Sequence, residues 1–205
     1  MKLDRLYKLK HAVDLFEAKQ TVIDLVDDLT KRMGIPAMIV GGAALPTHGF
    51  DRLTKDIDLV TTVSDAQRLG DALLENDFKF IGGNTFKRND SELKVNLCPE
   101  SIKTHPTGKL GFPPTENKTP GLHVVSLPRL MAMKISAGRL KDRTDYMELI
   151  KINHLDRKWI DENVMPLLTN GKDRRWATEF WNIAQKEKKV EDSRRNVLEA
   201  YFKKK

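Results

Sequence analysis

Asp56 and Asp58 stand two residues apart in the run Asp56-Ile57-Asp58-Leu59-Val60, where acidic and apolar side chains alternate. On a strand, residues i and i+2 point to the same face, so the two carboxylates would project side by side. Like charges at that range repel, raise a pKa and destabilise the fold. A cation between them removes the penalty. Mg²⁺ (or Mn²⁺) suits the place, because Mg²⁺ accepts a few carboxylates and fills its other positions with water and phosphate oxygens. The alternative is an exposed strand face with two solvated acids.

A second feature lies upstream. Gly41-Gly42 follows the apolar run Ala37-Met38-Ile39-Val40. A strand that ends in two glycines before a helical turn presents bare backbone N–H groups, which attract phosphate, and glycine lets phosphate approach without a Cβ in the way. Lys134 is the third feature. It sits in the apolar helical stretch Leu130-Met131-Ala132-Met133-Lys134-Ile135 and must snorkel to solvent or meet an anion. Asp145 follows eleven residues later, about three turns on and nearly on the same face if the helix is unbroken; Gly138 is a candidate break. Arg139, Asp142 and Asp145 also read as a helix–helix corner held by a salt bridge and an N-cap.

The elements that must position these groups are legible from periodicity. Val22, Leu25, Val26, Leu29 and Met33 form an apolar stripe in a helix over 7–33, stopped by Gly34 and Pro36. Strands are expected at 37–40 and 56–60. Ala43-Ala44-Leu45 can open a short helix before Pro46. A helix over 66–74, capped by Ser64, follows, then strands at 78–81, 85–88 and 93–98, with Gly82-Gly83-Asn84 as a hairpin turn. Residues 99–121, with five prolines, read as a long loop, a lid or plain surface. From Ser126 the chain reads as helices at 128–138, 142–153, 157–168, 174–188 and 191–202.

Composition narrows the class. The 205 residues are 40% hydrophobic and 32% charged, which fits a folded chain with its own core. A single cysteine, Cys98, excludes an internal disulfide and fits a reducing cytoplasm; an inert buried thiol is expected. No apolar run has signal-peptide or membrane-spanning length, so no membrane partner is expected. Residues 134–205 carry 18 Lys/Arg and 12 Asp/Glu, hence +6 of the total +7. That basic third suits a polyanion such as RNA, or is simply a solvated helical surface. Trp159, Trp176 and Trp181 among Arg157, Lys158, Arg174 and Arg175 could stack on RNA or lie in a core. The five histidines show no metal-ligand spacing, and His48 reads as a helix-end residue.

Val40-Gly41-Gly42, thirteen residues (43–55) and then Asp56-Ile57-Asp58-Leu59 resemble the signature of the DNA-polymerase-beta-like nucleotidyltransferase superfamily. Ala44-Leu45, His48-Gly49, Arg52, Thr54 and the stretch from Leu130 to Asp145 extend the match, which is similar to the bacterial AbiE-type abortive-infection toxin branch over about residues 37–150. The resemblance implies an α+β nucleotidyltransferase-like fold, a small mixed sheet flanked by helices. The core would be 1–125, and a helical C-terminal region, 126–205, would complete the nucleotide site. Gly41 and Gly42, with Arg52 and Thr54, would hold the triphosphate of an NTP. Asp56 and Asp58 would bind Mg²⁺ ions that bridge phosphate oxygens and activate a hydroxyl for in-line attack on the α-phosphorus. Lys134 would face the phosphates, with Asp145 nearby. The family's third carboxylate falls at Asn96, in Lys94-Val95-Asn96-Leu97, which offers a metal a carbonyl oxygen but no charge and no base. Glu92, four residues away on the same strand face, would lie about 13 Å off, too far to replace it. An RNA or tRNA acceptor and a cognate antitoxin are implied at branch level; a small-molecule acceptor of the antibiotic type, or a decayed site that binds without chemistry, are the alternatives.

Overall fold

The computed structural model describes residues 2–99 and 119–202, with side chains described for 13–99 and 119–194. The described chain forms two compact units, one of residues 2–47, 51–99 and 119–126, the other of 48–50 and 127–202.

The first unit is built on the most apolar strands. β1 (Pro36–Val40) has four buried residues, Ala37 to Val40, and β2 (Asp56–Thr61) buries Ile57, Leu59, Val60 and Thr61 while its two aspartates keep partial exposure. β3 (Phe78–Gly82), β4 (Thr85–Arg88), β5 (Lys94–Pro99) and β6 (Gly121–Val124) complete a six-stranded mixed sheet in the order β3-β4-β5-β2-β1-β6. β1 pairs antiparallel with β2 and parallel with β6; β2 and β5 are parallel; β3, β4 and β5 form an antiparallel meander. The β3–β4 turn has positive φ at Gly83 and Asn84, the pattern of a type I′ hairpin.

Two helices cover this sheet. α1 (Lys2–Met33) lies against β6 and β1, and α2 (Val63–Leu74) against β3, β4 and β5. Thr62, not Ser64, caps α2: its extended backbone lets its hydroxyl accept from the Asp65 N–H at 3.1 Å, whereas Ser64 is already helical. β6 begins at Gly121, the last residue of the expected loop, and continues through 122–124, for which no element was expected; residues 100–118 of the proline-rich stretch lie outside the described residues. Residues 43–45 form a turn instead of a helix start, and a short 3₁₀ turn at Pro46–His48 follows.

The second unit is helical. α3 (Leu127–Ala137), α4 (Leu140–Ile152), α5 (Arg157–Asn163) and α6 (Gly171–Phe202) pack around Leu130, Tyr146, Leu149, Ile160, Ala177 and Ala184. Pro166 ends the expected 157–168 helix early, in a 3₁₀ turn at Met165–Leu167. α6 runs unbroken through 188–191, where two helices were expected. Lys151 of α4 reaches both Glu187 and Glu191 there, at 3.4 and 3.3 Å. Among the described residues no helix is long and apolar enough to cross a membrane.

Candidate active site

The sheet register arranges the acidic residues. Asp58 of β2 lies opposite Asn96 of β5 and Val40 of β1, and Thr85 of β4 lies opposite Asn96. Asp56 lies opposite Lys94, and Lys94 opposite Lys87. Residues paired across strands point to one side of a sheet. Thr85, Asn96 and Asp58 therefore form one row, and Lys87, Lys94 and Asp56 a second row on the same face. The alternate row, Phe86, Val95 and Ile57, points the other way, toward α2. There the Phe86 ring meets Gly70 so closely that a Cβ would come 2.7 Å from it. Thus α2 covers one face and the carboxylates line the other.

The glycines adjoin this row. Gly41 has φ +68, and a Cβ on it would stand 2.5 Å from Asp58 Oδ2. Only glycine meets both demands without strain or clash. A Cβ on Gly42 would stand 2.8 Å from Arg52 Nη2 and 3.3 Å from Thr54 Oγ1. The Thr54 hydroxyl is also 3.3 Å from both the N and the O of Asp56, pinning the entry to β2. Gly41, Gly42, Arg52, Thr54, Asp56, Asp58 and Asn96 are therefore brought together.

Asn96 is turned in an unexpected way. Its Nδ2 donates to Asp58 Oδ1 at 2.7 Å, and its Oδ1 accepts from the Thr85 hydroxyl at 2.9 Å. An ionised carboxylate can only accept, so the amide must face Asp58 nitrogen-first. The expected metal-ligating oxygen of Asn96 is committed to Thr85 in this arrangement. To ligate a metal beside Asp58 the amide must turn over and give up both bonds. Thr85 escaped the sequence reading because nothing in its local pattern marks it; only the β4–β5 register does. Glu92 is held by Lys87 at 2.6 Å and Asp90 by Arg88 at 2.8 Å, so neither replaces the missing acid. Burial, and then the charge of Asp58, push the Cys98 thiol up to about 12, which makes it inert at neutral pH.

In the second unit the chain breaks between α3 and α4 at Gly138, as a helix corner. Lys134 is 4% exposed there, with Nζ 2.6 Å from Asp145 Oδ2 and 3.3 Å from Asp142 Oδ1. Arg139 also donates to Asp142. Burial raises the Asp142 carboxyl, but the Arg139 hydrogen bond and the Lys134 charge outweigh it and hold the group below its usual range. The anions that Lys134 meets are thus the chain's own. Two of the three tryptophans have side-chain partners within the unit: Arg143 and Lys172 lie over Trp176, at 4.5 and 4.4 Å, and Trp181 Nε1 donates to the Leu155 carbonyl.

Comparison with solved structures finds the crystal structure of ANT(2")-Ia in complex with adenylyl-2"-tobramycin. The likeness has a TM-score of 0.53 at 14% identity and covers 73% of this chain and 97% of that one. The fold is that of a nucleotidyltransferase. A solution structure of the antibiotic-resistance factor ANT(2")-Ia aligns over 92% of this chain and 99% of that one, at TM-score 0.45 and 14% identity. No family model and no curated protein matches the chain.

On this nucleotidyltransferase fold the donor set can be tested against a metal. Among the described residues no three His, Cys, Asp or Glu side chains converge. Two acids beside a glycine turn are nevertheless a fit for Mg²⁺, which is held by one or two carboxylates plus substrate phosphates more often than by an all-protein cage.

Proposed function

We propose that this chain transfers a nucleoside monophosphate from a nucleoside triphosphate to a hydroxyl of an acceptor. The observation that supports it most is the packing of the Asp58 carboxylate on Gly41. It puts a candidate cation ligand and a bare phosphate-binding backbone within one van der Waals contact.

In this reading the triphosphate lies along Gly41 and Gly42, with Arg52 and Thr54 at its flank. Asp56 and Asp58 would hold Mg²⁺ or Mn²⁺, whose charge, when bound, offsets that of the phosphates. The acceptor hydroxyl gives up its proton to water, its oxygen bonds to the α-phosphorus, the bond from α-phosphorus to the bridging oxygen breaks, and pyrophosphate leaves. Asn96 cannot take the acceptor's proton; its N–H instead fixes Asp58. The nucleotide-binding roles of Lys134 and Asp145 rest on the family resemblance alone, and phosphate would have to compete with Asp142 and Asp145 for the lysine.

For the acceptor, RNA is supported by the exposed Lys141, Lys158, Lys172, Arg175, Lys186 and Lys189 of the basic second unit, and with the branch resemblance it brings the toxin–antitoxin setting. A small hydroxylated compound is supported by the adenylylated tobramycin of the similar structure. A second reading, nucleotide binding without turnover, is favoured by the amide turned N–H-first onto Asp58.

The test is incubation with each labelled NTP, Mg²⁺ and either total RNA or an aminoglycoside, with NTP binding followed by calorimetry. The wild type is expected to bind NTP only with Mg²⁺, and Asp58→Asn to lose that binding while keeping its fold. Equal metal-dependent binding by both proteins would sink the site. Binding without label transfer to any acceptor would select the second reading.

A further inference from the structure

The row that ends at Asp56 is basic along the rest of its length. Lys79 of β3 lies opposite Lys87 of β4, Lys87 opposite Lys94 of β5, and Lys94 opposite Asp56 of β2. Three lysines on three neighbouring strands thus run from the edge of the sheet to the first aspartate, on the face that carries Asp58. Like charges directly opposite one another on a sheet are destabilising. The acids nearby answer only part of the charge. Glu92 binds Lys87 at 2.6 Å. Lys87 first, by hydrogen bond and charge, and then Lys55 and Lys94 hold the Glu92 carboxyl below its usual range, so one acid serves three ammonium groups. Among the described residues Lys79 and Lys94 make no side-chain hydrogen bond and no ion pair. Lys94 stands beside Asp56 without pairing to it, and a cation held by Asp56 would leave the lysine more exposed still to its like-charged neighbours.

The place of the row indicates what could answer it. β2 lies between β1 and β5. Gly41 and Gly42 follow β1, on one flank of the aspartates, and the lysines lie on the other flank, on β5, β4 and β3. The proposed donor triphosphate therefore sits across β2 from the lysines. The row is left for an anion on the acceptor side of the reacting atoms. From Lys79 to Asp56 it spans three strand spacings, about 14 Å. That is the length of about four stacked nucleotides at roughly 3.4 Å each. An aminoglycoside, whose amines are protonated at neutral pH, would meet like charge along the whole row.

We propose that Lys79, Lys87 and Lys94 form a track for the phosphate backbone of a nucleic-acid acceptor, leading its reacting hydroxyl from the β3 edge to Asp56. That the strand is an acceptor rests on the nucleotidyl-transfer reading; its binding along the row does not. Lysines at one strand spacing meet successive phosphates as point charges and release the strand's counterions. The contacts read no base, so the track sets where the strand lies and leaves its sequence open. It belongs to the first unit, apart from the basic surface of the second.

The full-length chain is titrated against fluorescein-labelled single-stranded RNA and DNA of mixed sequence, by anisotropy at several salt concentrations, and against NTP plus Mg²⁺ by calorimetry. The double variant Lys79→Gln, Lys94→Gln is expected to weaken strand binding roughly 10-fold at low salt and to reduce the salt slope by about 1.4, since two phosphate contacts are lost. The corresponding Arg variant should retain most of the affinity. Lys79 is exposed, so Lys79→Gln alone keeps its fold and should show about half of the change in slope. An equal loss in the second-unit variant Lys172→Gln, Lys186→Gln would mean diffuse attraction and overturns the track. So does wild-type strand affinity in the first-unit variant, or loss of NTP binding by that variant with the strand still held, which would give the row to the donor. Asp58→Asn reads the other hypothesis. If it binds NTP plus Mg²⁺ like the wild type while the lysine variant loses the strand, the transfer reading falls and the track stands. If Asp58→Asn loses the NTP and the lysine variant keeps the strand, the track falls and the transfer reading stands.

Discussion

Asn96→Asp is the most informative change in the row Thr85–Asn96–Asp58. It replaces a donor 2.7 Å from Asp58 Oδ1 by a second carboxylate. Two unit charges about 4 Å apart repel by about 4 kcal/mol at an effective dielectric near 20. The lost hydrogen bond to a charged group adds about 1.5–3 kcal/mol. The sum is capped, because one acid can instead take up a proton, which at pH 7 requires about 4 kcal/mol for a group with an ordinary pKa near 4. The expected destabilisation without metal is therefore about 2–4 kcal/mol, or a fall in Tm of roughly 5–15 °C for a chain of this size. Mg²⁺ should restore most of it, since the variant has three acids for the ion and the wild type two. The penalty should also fade below about pH 4, where a carboxylate is protonated. Differential scanning fluorimetry with and without Mg²⁺, at pH 7 and pH 4, reads all three effects. If transfer chemistry lacks only this acid, the variant should also gain activity. A metal-free Tm equal to the wild type, with no greater gain from Mg²⁺, would refute the geometry on which the reasoning depends.

Two further outcomes concern the α3–α4 corner. Lys134→Met removes the ammonium that meets both Asp142 and Asp145, each 1% exposed, leaving Asp142 its Arg139 partner, so denaturant unfolding should show a loss of about 3 kcal/mol; a loss under about 1 kcal/mol would mean the buried lysine does not hold the corner. The folded pKa of Asp142 is below its unfolded value near 3.8, so its stabilisation is complete above that value and is lost as pH falls through the folded one. Asp142→Asn should flatten the acid limb of the stability–pH curve, and an unchanged limb would exclude Asp142 as its source.

Much of the sheet was legible because its strands alternate strongly or are wholly apolar. β1 and β2 sit where Ala37-Met38-Ile39-Val40 and Asp56-Ile57-Asp58 place them. β6 was not, since Gly121-Leu122-His123-Val124 is short, follows prolines and is held by parallel pairing to β1, a partner far away in sequence. The continuity of α6 was hidden for a related reason. Lys186-Glu187-Lys188-Lys189 shows no apolar stripe, and what anchors it is Lys151 of another helix. At the site, residue types and spacing located the glycines and the two aspartates. The orientation of Asn96 follows from Thr85, which only the register identifies. For Lys134 the sequence left solvent and an anion open, and the bend at Gly138 gives it Asp142 and Asp145.

The parallel seam between β2 and β5 has a consequence for the order in which the molecule assembles. β1 with β2, and the meander β3-β4-β5, each pair strands that follow one another in the chain. The seam cannot form so locally, because Asp58 and Asn96 are 38 residues apart. Closing that loop costs about 3 kcal/mol of chain entropy beyond the constant term, before any ladder bond offsets it. The seam is therefore expected to zip up late, as two prebuilt halves dock. The acidic strand and its Asn96 partner would then meet only after the rate-limiting step. Evolution at position 96 could alter the local charge with little effect on how fast the chain folds, and would register chiefly in how fast it comes apart.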